Sequence, residues 1–138
     1  MKKNKFLVIA GICIVAVIGF AAISTKMTGK RPFKHLVETD ITSATVNLSP
    51  PDKTIVIPEF EELVSYLNDV VIYSKDNSYT EYVGQGVTFN IIMVDGAQID
   101  VMAYNPFLVI NGVGYKTKYA PCEALNAYAN KLLRDNDD

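Results

Sequence analysis

The 138 residues carry 13 basic and 15 acidic side chains, and the two signs are separated along the chain. All acidic residues lie beyond position 33, where Lys34, Lys53, Lys75, Lys116, Lys118, Lys131 and Arg134 oppose them. So acidic a stretch repels phosphate backbones and anionic headgroups, which argues against nucleic acid as a partner and against adhesion of this part to a membrane surface.

Residues 1 to 5 hold Lys2, Lys3 and Lys5, and residues 6 to 23, FLVIAGICIVAVIGFAAI, are apolar or small throughout. Eighteen residues at helical rise reach about 27 Å, close to a hydrocarbon core of about 30 Å. The expectation is a transmembrane anchor that contacts the lipid bilayer through residues 6 to 23, with residues 1 to 5 as a cytoplasmic tail. A signal peptide is the rival, since Ala22, Ile23 and Ser24 offer a cleavage site. The run exceeds the roughly 7 to 15 residues of a signal's apolar region, which favours the anchor. Cys13 does not suit lipid modification, because Ile12 stands where processing needs a small residue. Basic residues flank both ends of the run, so charge alone does not orient it. A short lysine-bearing head ordinarily stays inside, leaving the rest of a single-pass plasma-membrane protein outside the cytoplasm.

Residues 24 to 34 read as a linker, and 35 to 138 as one domain of the α+β class; about 100 residues leave no room for two. With Cys13 inside the apolar run, Cys122 has no partner for an internal disulfide, so packing must hold the domain together. The β-branched stretch 41 to 48, the turn residues Ser49-Pro50-Pro51-Asp52 and the run 54 to 57 predict a hairpin. Pro58 suits a first helical position, with Glu59, Glu61 and Glu62 complementing the dipole. Phe60, Leu63, Val64, Leu67, Val70 and Val71 give that helix an apolar face to lay on a sheet.

A polar loop, 74 to 78, precedes Tyr79 to Val83, a short edge segment by this reading. Val87 to Tyr104 is a hairpin whose register follows from its pattern. A loop of Val94, Asp95 and Gly96, with Gly96 left-handed, pairs Met93 with Ala97, Ile91 with Ile99, Phe89 with Val101 and Val87 with Ala103. One face is then wholly apolar, as a half-buried antiparallel sheet requires. Phe107 to Ile110 and Val113 to Lys118 form a second pair around Asn111-Gly112, completing a meander. Pro121 opens a last helix with Cys122, Leu125, Ala129, Leu132 and Leu133 on one face. Both helices are expected on one face of the sheet.

The segments FKHL, DITSATVNLSPPDKT, SYTEYVGQGVTF and NPFLVINGVGYKTKYAPCEAL resemble an uncharacterised small extracytoplasmic domain of Gram-positive bacteria. That domain occurs alone behind a membrane anchor and as an extension on membrane metallopeptidases of the beta-lactam-sensor type. The resemblance spans residues 33 to 133 and implies a location and a context. It carries over no catalytic or binding residues, and the peptidase's HExxH pattern is absent from the sequence.

Chemistry-bearing residues are sparse. His35 is the one histidine and sits near the linker, so neither a triad nor a zinc set is supported, and no cofactor is expected. Gly112-Val113-Gly114-Tyr115-Lys116-Thr117 lacks the third glycine of a dinucleotide fingerprint and the ending of a phosphate loop, and leads into a strand. Gly114 instead marks a bulge or a close approach. Asp100 and Glu81 are a conceivable acid pair on the open sheet face. Cys122 at a helix start gains from the dipole, but its apolar neighbours point it into the core, where it is inert.

The eight tyrosines are ordinarily half-buried packing residues, yet they also suit recognition by offering wide contact at low entropic cost. Tyr79, Glu81, Tyr82 and Gln85 are the candidate binding surface. The reading is a membrane-anchored, non-enzymatic binding, sensory or modulator module acting on a protein, peptide or cell-envelope ligand, a membrane or envelope protein being the expected partner. A small envelope hydrolase using carboxylates or Cys122 is the alternative.

Overall fold

The computed structural model describes residues 29 to 138. The tail 1 to 5, the apolar run 6 to 23 and linker residues 24 to 28 lie outside the described residues, and the anchor reading with them. Among the described residues no helix is long and apolar enough to cross a membrane.

The fold is α+β, an antiparallel sheet of seven strands with two helices. In chain order these are β1 (Ile41–Ser49), β2 (Lys53–Ile57), α1 (Glu61–Asp69), β3 (Ile72–Lys75), β4 (Gly86–Met93), β5 (Gln98–Tyr104), β6 (Phe107–Ile110), β7 (Val113–Thr117) and α2 (Tyr119–Asp137). The spatial order β2-β1-β4-β5-β6-β7-β3 puts β2 and β3 at the edges.

The central register follows the apolar alternation. Val87 pairs with Ala103, Phe89 with Val101 and Ile91 with Ile99. At the turn Met93 N donates to Ala97 O at 2.8 Å and Gly96 takes φ +87°, the left-handed bulge that a three-residue loop demands. Asn111 and Gly112, both at positive φ, turn β6 into β7.

One buried cluster joins Val46 and Leu48 of β1, Phe89 and Ile91 of β4 and Val101 of β5 to Leu63 and Leu67 of α1 and Leu125 and Ala129 of α2. Phe89 stacks on Tyr128 at 6.1 Å with 8° between the rings. The helix spacing of apolar residues thus does what it implies, closing one sheet face by removing apolar area from water.

Three local expectations are corrected. Pro58 precedes α1, whose first turn closes with Val64 N on Phe60 O at 2.8 Å. Ile57 is still paired with Ala44, so Pro58 to Phe60 are needed to carry the chain from the sheet to the helix layer. α2 begins at Tyr119, two residues before Pro121, which stays in a first turn where a missing N–H costs nothing. Tyr79 to Val83 is no edge strand: Ser78–Glu81 is a 3-10 turn. The Asp76 carboxylate accepts from Ser78 N at 3.0 Å and Ser78 Oγ at 2.6 Å, bending the chain as soon as β3 ends.

Residues 29 to 34, which the sequence places in the linker, pack on the domain. Lys30 and Ile72 exchange two backbone hydrogen bonds of 2.8 Å. Phe33 is buried, and Asn68 Nδ2 donates to Phe33 O at 2.6 Å and to Leu36 O at 3.1 Å. Arg31 returns the contact through Nε and Nη2 on Asn68 O, at 3.0 and 2.6 Å.

Candidate functional site

Of the residues singled out in the sequence, Asp100 lies on the sheet face away from the main core. In the middle of that face Asn90 and Asp100 are direct cross-strand partners. Asp100 Oδ1 accepts from Asn90 Nδ2 at 2.8 Å and Gln98 Nε2 at 3.0 Å, while Asn111 Oδ1 accepts from Asp100 N at 2.9 Å. The Gln98 and Asn90 amides hold its carboxyl below the usual carboxylate range, because they bond the charged form. That shift is opposite to what a general acid needs.

Toward β6 the same face turns apolar. Phe107 and Val109 are buried there, although they lie outside the main core cluster. What covers Phe107 is the chain after β3. Tyr79 and Tyr82 rings stand 6.5 and 5.6 Å from the Phe107 ring, both tilted. Tyr79 OH donates to Gly112 O at 3.2 Å, and Gly114 N donates to Asn77 Oδ1 at 2.8 Å. A Cβ at Gly114 would meet Tyr79 Cδ1 at 2.6 Å, so Gly114 is the close approach its sequence context suggests.

Of the four candidate residues, the structure brings Tyr79 and Tyr82 together over Phe107. Glu81 is exposed between them at the end of the 3-10 turn. Gln85 donates from Nε2 to Pro50 O at 3.2 Å, tying the segment to the β1–β2 turn. Tyr82 keeps 59% of its surface exposed and Val83 is fully exposed. Gly84 sits against the Tyr104 hydroxyl, where a Cβ would stand 3.0 Å away. Phe107, Val83 and Tyr104 are thus members of the patch that the sequence reading missed. The signal was present: Phe107 to Ile110 is apolar without alternation, as in strands covered on both faces.

The other chemistry-bearing groups lie elsewhere. Cys122 is fully buried, with Sγ 3.5 Å from Phe107 O, and burial pushes its thiol up to about 12. A thiol so shifted is neither nucleophile nor ligand at neutral pH. His35 is exposed, and among the described residues no three His, Cys, Asp or Glu side chains group as a metal would need. Two clefts flank the helix pair. One of about 550 Å³ includes Glu59, Glu62, Tyr128 and Lys131 in its lining, with Glu62 taken by Lys131 at 3.2 Å and by Tyr66 OH at 3.2 Å. The second, of about 510 Å³, includes Arg31, Asp69, Lys118 and Pro121. Neither is lined by Cys122 or Asp100.

Compared with known protein families, with curated proteins and with solved structures, the chain gives no match in any of the three.

Proposed function

We propose that this chain is a membrane-anchored, extracytoplasmic, non-enzymatic binding module that offers the Tyr79 to Gln85 segment to a protein, peptide or cell-envelope ligand. The observation that carries the reading is the divided use of the segment's aromatic and apolar groups. Tyr79 and Tyr82 both pack on Phe107, but Tyr79 is also hydrogen-bonded to Gly112 O, whereas Tyr82 keeps most of its surface, and Val83 all of it, exposed on a backbone braced on both sides. A pre-set aromatic knuckle loses little entropy on contact and gives wide apolar area.

The eighteen-residue apolar run supports the anchor, and the likeness to an anchored extracytoplasmic domain supports the same placement and a modulating role beside a membrane sensor or peptidase. With both helices on one sheet face, the 79 to 85 segment lies over the opposite one, with Tyr82 and Val83 exposed. The hydrolase alternative draws less support, since the Cys122 thiol is shifted up and the Asp100 carboxyl down.

The test is site-specific photocrosslinking of the full chain in its native membranes, followed by mass spectrometry. A photoreactive side chain replacing Tyr82 should yield a discrete adduct that the same probe replacing Val56, exposed on edge strand β2, does not give. Equal, diffuse labelling from both positions would sink the reading.

A further inference from the structure

We infer that the sheet edge formed by β3, β7 and residues 29 to 34 is seated on the anionic headgroups of the bilayer that holds the chain's own apolar run. The inference rests on the anchor reading above and adds which face of the domain meets the membrane.

Chain length sets the distance. The apolar run ends at Ile23 and Gly29 is already docked: a Cβ there would meet Val71 Cγ1 at 2.5 Å and Tyr73 Cε1 at 2.9 Å, and φ is +67°. Lys30 then pairs with Ile72 on β3. Residues 24 to 28, even fully extended, reach only about 20 Å from Ile23 to Gly29. The edge that receives Gly29 is therefore the part of the domain held nearest the bilayer.

Charge at that edge is the reverse of the domain's average. Lys30, Arg31 and Lys34 follow Gly29, Lys75 ends β3, and Lys116 and Lys118 lie on and just after β7, with Lys118 N bonded to Val71 O at 2.9 Å. Asp69 lies 3.5 Å from Arg31 and Asp76 4.0 Å from Lys116, and Glu81 ends the turn that follows β3. The described residues outside this edge and the turn beside it hold three cations against twelve carboxylates. Glu123, the first acidic residue of α2, is engaged by Asn105 Nδ2 at 3.1 Å. Net charge argued against adhesion of the domain to anionic lipid, but the fold segregates the charges and leaves this edge basic. A basic cluster within a Debye length of an anionic leaflet is drawn to it, while the acidic remainder is turned away.

Exposed tyrosines accompany the cations. Tyr73 on β3 is 39% exposed and Tyr119, next to Lys118, is 65% exposed. Tyrosine beside lysine and arginine is the composition of the membrane interface, where the ring enters the headgroup layer and the hydroxyl stays wet.

The chain has no tryptophan, so one indole makes a clean probe. Full-length Y119W, and V56W on edge strand β2 at the far side of the sheet, are reconstituted into vesicles with brominated acyl chains. The vesicles are phosphatidylcholine alone or with about a third phosphatidylglycerol. The expected result is Y119W emission quenched roughly twofold or more beyond that of V56W in the anionic vesicles, with the excess abolished near 0.5 M salt. Lysine-to-glutamate reversal at Lys30, Lys75 and Lys118, with circular dichroism unchanged, should remove the same excess; the salt arm needs no variant. A chain that floats with the vesicles yet quenches Y119W and V56W alike overturns the inference and leaves the anchor standing. A chain that does not float overturns both.

Discussion

Gly114 lies directly under the ring of Tyr79, with the Asp76 carbonyl against the same atom, so the place where its side chain would be is already filled. Backbone closes one side of that space, and Tyr79 is itself held by its hydrogen bond to Gly112 O. We expect Gly114→Ala to cost about 1 to 3 kcal/mol in urea unfolding, the usual penalty of forcing a methyl into a packed site. It should also expose the 78 to 85 segment to protease. A variant as stable and as resistant as the parent would show that the segment is not seated on β7.

Asn68 is the link between residues 29 to 36 and α1. Its side-chain amide donates to two backbone carbonyls and its backbone carbonyl accepts from Arg31. Asn68→Ala leaves the Phe33 and Leu36 carbonyls without that donor, a loss of about 1 to 3 kcal/mol. Limited proteolysis should then cut between residues 29 and 36 well before the sheet unfolds.

Cys122 and Tyr128 both have folded-state values raised by burial, to about 12, from ordinary values of 9.0 and 10.0. Above pH 9 the unfolded chain therefore gives up protons that the folded chain keeps. Stability is full below about pH 9 and falls as pH rises toward 12. The urea midpoint should drop between about pH 8 and pH 10.5, with a smaller drop for Cys122→Ala. By the same burial, iodoacetamide at neutral pH should leave Cys122 unmodified in the folded chain, as read by peptide mass mapping, and modify it in urea.

Tyr82 and Val83 separate recognition from folding. Val83 is fully exposed, so Val83→Ser should change stability by less than about 0.5 kcal/mol. Tyr82→Ala loses its contact with the Phe107 ring and should cost about 1 kcal/mol. Both should weaken crosslinking from the 79 to 85 segment. Equal capture by parent and variants in the membrane assay would remove these residues from the binding surface.

Local pattern by itself determined a good deal of this protein. The hairpin from Val87 to Ala103 was legible to the residue, because a period of two admits one register that keeps polar groups out of the core and Asp95-Gly96 supplies the left-handed bulge it needs. The apolar face of each helix and the burial of Cys122 were legible for the same reason: neighbours three and four residues away settle which way a side chain points. Tertiary structure alone decided the rest. β3 joins the sheet beside β7, more than forty residues downstream, a pairing set by where the chain returns and not by any local signal. That pairing brings the 3-10 turn over Phe107, making two of the candidate tyrosines one patch, and sets Lys75 of β3 beside the stretch that holds Lys116 and Lys118. Composition reports a net charge, whereas the distance between charges, on which their energy depends, exists only once the chain has folded.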